Sequence, residues 1–531
     1  LGNLRASGVV SLNRGFRAEG PIWMRGAILS GGLNLDGATI EVAAGESEGL
    51  NAEHCEIGEE LQLRHKFTAN ALVSFAGSEI HGSVRVDASR ITAHPVALDL
   101  RKAHIRGELT GAAYLTGALA LSGASIGGNC DLRGVEIAVA NGRAGSQKPE
   151  SAVALDAASV RIGGAALLQG ANVKGEVFLA DARIEGYLAL GGGRFIHPGH
   201  WAIRAPNARI GGNLTLKIDE SSFAPHGQKT VIEGGAKFDR AQIDGAFTWL
   251  NLELRGPGPD NAKGGLLSLA NAKIAGPLQA RALVAQADAR IDLSGVSCAT
   301  LDDDLKAGWG ADGAALDLEG FAYQRIENAG ERWRDRLAWL KRSRRDGARF
   351  SPQPFTRAAD VYARAGRRED ARRILLAQQD LYTRRASAGP LTWLLSSLFG
   401  LTAGYGLAPI RIARALVLFF ALGVAGTLAM NAQGALVRPS GAACEGAIEP
   451  ALYAIDVALP VIDLGQETRC APGRTARAEL GAGVELPHSD WRLLEGAALW
   501  KWAQALYAIL GAILTALAVI TFSGVMKPKD D

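Results

Sequence analysis

The spacing Gly308-Trp309-Gly310-Ala311-Asp312-Gly313 is that of a dinucleotide-binding turn. Such a turn uses glycines to bring backbone against a pyrophosphate and a helix N-terminus to hold its charge. The flanks are wrong for it. Leu301-Asp302-Asp303-Asp304 precedes where an apolar strand is needed, and the alternating Ala315-Leu316-Asp317-Leu318 follows where a helix should begin. Gly123-Ala124-Ser125-Ile126-Gly127 has the spacing of a nucleophile elbow, which sets its serine between a strand and a helix. Again no helical pattern follows. His197 and His200, around Pro198-Gly199, would hold a metal only with ligands from elsewhere. Asp302, Asp303 and Asp304 are neighbours along the chain, which is not convergence. No Cys-x-x-Cys and no His-Glu-x-x-His occurs. These residues predict no catalytic group, no bound cofactor and no metal centre.

One further group lies near the C-terminus. The stretch Ala451–Gly465 is apolar except for Asp456, Pro460 and Asp463, and Gln466 follows it. A short apolar helix ending in an acidic, glycine-containing turn has the outline of a pore loop, where an acidic ring from several subunits selects cations. Against this, no potassium-filter sequence is present and about 35 mostly polar residues separate Gly465 from Trp500. The preferred alternative is an amphipathic helix lying on a membrane face. Cys444 and Cys470 bracket the stretch, and a disulfide between them is expected, with two free thiols as the alternative.

The elements that carry these residues follow from repetition. A phrase Ala-x-Ile-x-Gly-x-Leu-x-Leu recurs through residues 1–320, as at 27–35 and Ala208–Leu216, and Ile162, Val173 and Ile184 fall eleven apart. Alternation such as Leu33-x-Leu35, Val84-x-Val86 and Leu188-x-Leu190 is a strand signal, and the glycines before it supply turns. A second alternating segment precedes the phrase by a fixed offset: Leu98 to Ile105, Leu155 to Ile162 and Leu267 to Ile274 are each seven residues. One unit therefore reads strand, turn, strand, turn, strand, the coil of a parallel β-helix. Two eleven-residue steps give about 22 residues per coil and roughly 10–13 coils. Short strands bury no core alone, but stacked coils bury a column of Ile, Leu and Val. Breaks in the period at Gly142–Ser151 and Asp219–Gln228 are insertions and candidate contact loops. The chain begins at Leu1, without Met, so missing upstream coils or a missing N-terminal cap is the expectation, and no secretory signal opens it.

The net charge of +3 hides a partition. Residues 1–320 carry 30 Lys and Arg against 35 Asp and Glu, while Phe321–Arg414 carries 19 against 8. Helical spacing appears there: a helix from Pro354-Phe355 through Ala365, ended by Gly366, and another from Arg368 or Glu369. Residues 321–390 read as a basic helical cap and linker, with the outline of one tetratricopeptide-type hairpin. Attraction to anionic headgroups explains the basicity more simply than nucleic acid, which is disfavoured. Residues 391–531 read as a membrane domain, with spans at about 411–432 and 503–526. Ala503–Met526 has 24 residues without charge, about 36 Å of helix against a hydrocarbon core of about 30 Å. Two buried core helices are the alternative. Residues 431–499 carry 9 acids and 5 bases, so the positive-inside rule puts this loop (433–502) outside and both termini in the cytoplasm.

Gly15-Phe16-Arg17-Ala18-Glu19-Gly20, Gly32-Leu33-Asn34-Leu35, Gly366-Arg367-Arg368-Glu369-Asp370-Ala371, Gly404-Tyr405-Gly406 and Asp463-Leu464-Gly465-Gln466 together resemble a bacterial family of membrane-associated repeat proteins. The resemblance covers nearly the whole chain. It implies a Gly/Ala/Leu-rich solenoid, a helical linker and C-terminal membrane helices in a bacterial inner membrane. Members are sometimes labelled membrane-associated oxidoreductases, which implies redox activity. The expected function is a membrane-anchored, cytoplasmic solenoid acting as a binding or scaffold module without chemistry. Its expected partners are the lipid bilayer, a protein on the solenoid surface or insertion loops, and further copies of itself, since uncapped end rungs pair readily. The alternative is an oligomeric channel or transducer with Asp456, Asp463 and Gln466 near the pore and the solenoid as sensor. The second alternative is the oxidoreductase.

Overall fold

The computed structural model describes the chain except residues 1, 14, 140–151, 219–228, 261, 287, 311–313, 328–331, 344–349, 387–388, 441, 443, 445, 447, 460–462, 474–483, 486–491, 495 and 524–531. Both expected insertion loops, 142–151 and 219–228, lie outside the described residues. Contacts divide the chain into Leu1–Ile374 and Leu375–Asp531.

The first unit is a parallel β-solenoid of about 12 turns, followed by helices. Its coils have four sides, not the three that the repeat suggests. Ile28–Leu29, Leu33–Asn34, Thr39–Glu41 and Glu48–Asn51 make one circuit, and Glu56–Ile57 then stacks on Ile28–Leu29. The reason lies in the strand length. Most strands have two or three residues, so an alternation such as Leu33-x-Leu35 already spans a strand and the corner after it. On the first side, the inward Ile57, Ile80, Ile105, Ile126, Ile162, Ile184, Ile210, Ile243 and Ile274 form one column, none more than 3% exposed. Glycine is required where coils touch: a Cβ at Gly58 or Gly163 would collide with the carbonyl oxygen of Ser30 or Gly127 in the coil before. The corner before the first side is left-handed, with φ of 55–59° at Lys102, Ser159, Asp181, Asn207, Arg240 and Asn271.

Helices close the C-terminal end of the solenoid. Trp249, Trp309 and Trp339 form a chain of rings with centroids 5.5 and 5.2 Å apart. Beside them Asp303 and Arg336, both fully buried, make a two-pronged ion pair at 2.7 and 3.0 Å. Trp309 Nε1 also donates to Asp303 at 2.7 Å. Arg336 lies on α1 (Trp333–Lys341), and α2 (Gln353–Arg364) is tied to the last coil by Arg357 Nε donating to the Tyr323 carbonyl at 3.0 Å. The basic helical region therefore begins as an end cap. The boundary between the units falls inside α3 (Arg368–Ala386).

The second unit contains α4 (Pro390–Ala403), α5 (Pro409–Ala432), α6 (Pro450–Ala458) and α7 (Gly496–Ser523). Two helices are long and apolar enough to cross a membrane: Pro409–Ala432, with mean hydropathy 2.0, and Leu499–Ser523, with 2.3. Their apolar side chains mostly face outward, with Val417 68%, Leu422 71% and Val519 64% exposed. A soluble core helix would bury these groups. The two helices meet where Tyr507 stacks on Phe419 at 4.3 Å, and α6 packs against both.

Candidate functional site

The 444–470 stretch forms a braced turn. Cys444 and Cys470 are joined by a disulfide, with Cα atoms 6.3 Å apart. Asp456, on α6, is buried. Its carboxylate accepts the backbone N–H of Leu464 at 2.6 Å, Gln466 at 2.7 Å and Glu467 at 2.8 Å. Burial alone would raise its pKa, but the three N–H donors outweigh it and hold the carboxyl below its usual range. Asp456 is thus spent on holding the turn. Gln466 is buried, and its Oε1 accepts from Glu449 N at 3.4 Å. Asp463 alone of the three is exposed, with Oδ1 on Gly465 N at 2.8 Å. Pro460 lies outside the described residues.

The other motifs become solenoid parts. Trp309, inside the dinucleotide-like spacing, is fully buried in the end plug; Ala311–Gly313 lie outside the described residues. Ser125 sits on a two-residue strand, Ser125–Ile126. Stacking does set Glu79, His104 and Ser125 on successive rungs, in the order of a hydrolytic triad. No hydrogen bond joins their side chains among the described residues, and the nearby N–H groups of Gly127 and Gly128 are spent on Ile105 and Gly107 carbonyls. Those two N–H groups are therefore not available to an oxyanion. Asp302 receives Arg281 and Gln279, Asp303 receives Arg336, and Asp304 caps Lys306 N and Ala307 N. His197 Nδ1 contacts the Trp201 carbonyl at 3.0 Å, and burial holds its pKa down. No group of three or more His, Cys, Asp or Glu converges among the described residues. The solenoid thiols Cys55, Cys130 and Cys298 are buried, and burial pushes the last two up to about 12.

The repeat itself builds a feature that motif searching passes over. The outward residue of the first side changes sign along the stack. It runs Glu56, Glu79, His104, Ser125, Arg161, Arg183, Arg209, Gln242, Lys273. The basic end opens into a depression of about 450 Å³ lined by Asp181, Arg183, Asn207, Arg209, Arg240, Gln242, Asn271 and Lys273. The left-handed corner residues order it: Asn207 Nδ2 donates to Asp181 at 3.1 Å, and Arg240 Nε donates to Asn207 Oδ1 at 2.8 Å. Arg183, Arg209 and Lys273 are exposed and form no ion pair among the described residues. Rungs stand about 4.8 Å apart, where two like charges repel by about 1 kcal/mol in water. A multiply charged anion would relieve that repulsion at several rungs together.

No family model, curated protein or solved structure matches the chain. The geometry therefore stands without a relative to lend it a role.

The column was available to the sequence in principle. Arg161-Ile162, Arg183-Ile184 and Arg209-Ile210 share an Arg-Ile pair, and Lys273-Ile274 continues it. What sequence could not supply was the register that stacks those residues on one side, because intervening coils vary in length.

Proposed function

We propose that the chain is a membrane-anchored solenoid whose first side captures an acidic partner protein. The observation that carries this reading is the convergence of Arg183, Arg209, Arg240 and Lys273 on one open depression where, among the described residues, Asp181 is the single carboxylate. Guanidinium groups take carboxylates in a two-pronged fashion. The amides of Asn207, Gln242 and Asn271 can both donate to and accept from peptide groups. Among the described residues no aromatic ring lines the depression, so they offer nucleobases no stacking there. The anchor is α5 with α7. Charge asymmetry supports a cytoplasmic solenoid and an outer loop at 433–502. Cysteine chemistry supports the same sidedness, since the disulfide lies in the loop and the three free thiols in the solenoid. Neither an oligomeric channel nor a redox enzyme gains a comparable arrangement among the described residues.

The test is binding of fluorescent poly-glutamate to the purified full chain. Arg183→Glu with Arg209→Glu should weaken binding at least about tenfold, and raised salt should weaken the wild type in the same direction. Equal binding by the wild type and the charge-reversed variant would sink the reading.

A further inference from the structure

A second cavity, of about 170 Å³, lies among α5, α6 and α7. Gly423, Met430, Tyr453, Val457, Trp500 and Tyr507 are among its walls, and they are chiefly apolar and aromatic. Its polar side chains divide cleanly. Thr427 Oγ1 donates to the Gly423 carbonyl at 2.9 Å, Trp500 Nε1 to Gln433 at 3.0 Å and Gln504 Nε2 to Glu467 at 2.9 Å. The two phenols do not follow suit. Tyr453 Oη and Tyr507 Oη are buried and have no hydrogen-bond partner among the described residues. Tyr453 is 1% exposed. A buried hydroxyl left unmade costs about 1–3 kcal/mol, and here two such hydroxyls belong to residues that line one small cavity.

The geometry is prepared rather than loose. The Tyr507 ring is stacked on Phe419 with planes 9° apart, which fixes the direction of its hydroxyl. That hydroxyl lies against Gly423, where a Cβ would collide with it. Glycine at 423 therefore makes the space that Tyr507 Oη occupies. Burial also raises the Tyr453 pKa, which keeps that phenol protonated as a donor. Among the described residues no Lys, Arg, Asp or Glu lines the cavity, so a charged ligand would lose its hydration without compensation from them. An occupant must be uncharged, largely apolar, and able to accept from two hydroxyls. The space is below the usual range for whole drug-sized ligands, so only a ring or head enters.

We propose that this cavity holds the carbonyl-bearing head of a membrane amphiphile, with Tyr453 and Tyr507 donating to it. A quinone ring and a glycerolipid ester share that chemistry. The proposal rests on reading α5 and α7 as membrane spans, and that premise is tested separately. Resistance of the full chain to alkaline extraction from membranes supports the spans, and release by alkali removes them.

The binding test uses purified full chain in a maltoside detergent, which carries no carbonyl group. Decylubiquinone is the first probe, read by the part of the tryptophan fluorescence that is lost in Trp500→Phe. Saturable quenching that Tyr453→Phe with Tyr507→Phe weakens at least about tenfold is the expected result. Mass spectrometry of co-purified lipid is the second arm. Retained phospholipid that the double variant loses, with no quinone effect, supports the proposal through the ester source. Thermal melting checks that the double variant folds, and Tyr453→Phe and Tyr507→Phe made singly replace it if it does not. Identical quinone response and identical lipid content in wild type and folded variants would overturn the proposal, whatever the extraction result.

Discussion

The solenoid and the helical unit place the same kinds of atom on opposite sides. In the solenoid, Ile184 and Ile210 are at most 2% exposed and the charges stand outside in columns. In the helical unit, Val417, Leu422 and Val519 face outward, while the buried Asp456, Tyr453 and Gln466 lie within. Solvent explains the inversion. Water rewards the solenoid for hiding its Ile column, and hydrocarbon would reward the helices for displaying theirs. The sites follow the same inversion: an exposed cation column on one unit, an enclosed pair of hydroxyls in the other.

The sharpest way to break the comparison is at the solenoid's own exception, the buried pair Asp303–Arg336. Arg336→Ala removes the two-pronged partner of a buried carboxylate, Asp303, and should cost about 3–5 kcal/mol. Chemical denaturation of the solenoid transition checks it. A loss below about 1 kcal/mol would mean that the end cap contributes little. Next is Ile184→Ala, which opens a void in the column and should cost about 2–5 kcal/mol. Val417→Ala, made on an outward face of α5, should shift the melting transition in detergent by less than about 0.5 kcal/mol. Similar losses at both positions would remove the inversion.

Asp456 gives a smaller effect with a pH signature. Its folded pKa lies below the ordinary value of about 3.9. The stabilisation is therefore complete above that value and is lost as pH falls through the lower, folded pKa. Asp456→Asn should cost about 1–3 kcal/mol at neutral pH and erase that acidic dependence, read by denaturation of the helical unit between neutral pH and pH 2. An unchanged acid limb in the variant would assign the dependence to another carboxylate. The smallest effect belongs to the outer column. Arg183→Glu should move solenoid stability by no more than about 0.5 kcal/mol, because exposed charges contribute little, while reducing capture of an acidic partner. A large loss of stability would make the column structural.

Sequence made the stacking legible because an inward Ile every coil leaves a period, and the two long apolar helices legible because hydropathy is local. It missed the fourth side of each coil, since two-residue strands and their corners alternate alike. It read Asp302-Asp303-Asp304 as uninformative, although Asp303 meets Arg336 thirty-three residues on. No local pattern announces that pairing. The depression was hidden for the same reason, as Arg183, Arg209 and Lys273 come together only through register. Tyr453 and Tyr507 are ordinary aromatic residues of apolar segments until packing shows their hydroxyls alone.

The four-sided coil also sets how this protein can change length. Arg161–Ile162 stacks directly on Arg183–Ile184, so the residues between them close one complete circuit. Removing that circuit would rejoin equivalent corners and shorten the stack by one rung, with the end plug and every remaining pairing intact. Removing half as much would bring a first side against a third and leave each later coil rotated. Growth and loss are thus quantised in whole circuits, and each added copy of the circuit that opens at Arg161 would extend the cation column by one more residue.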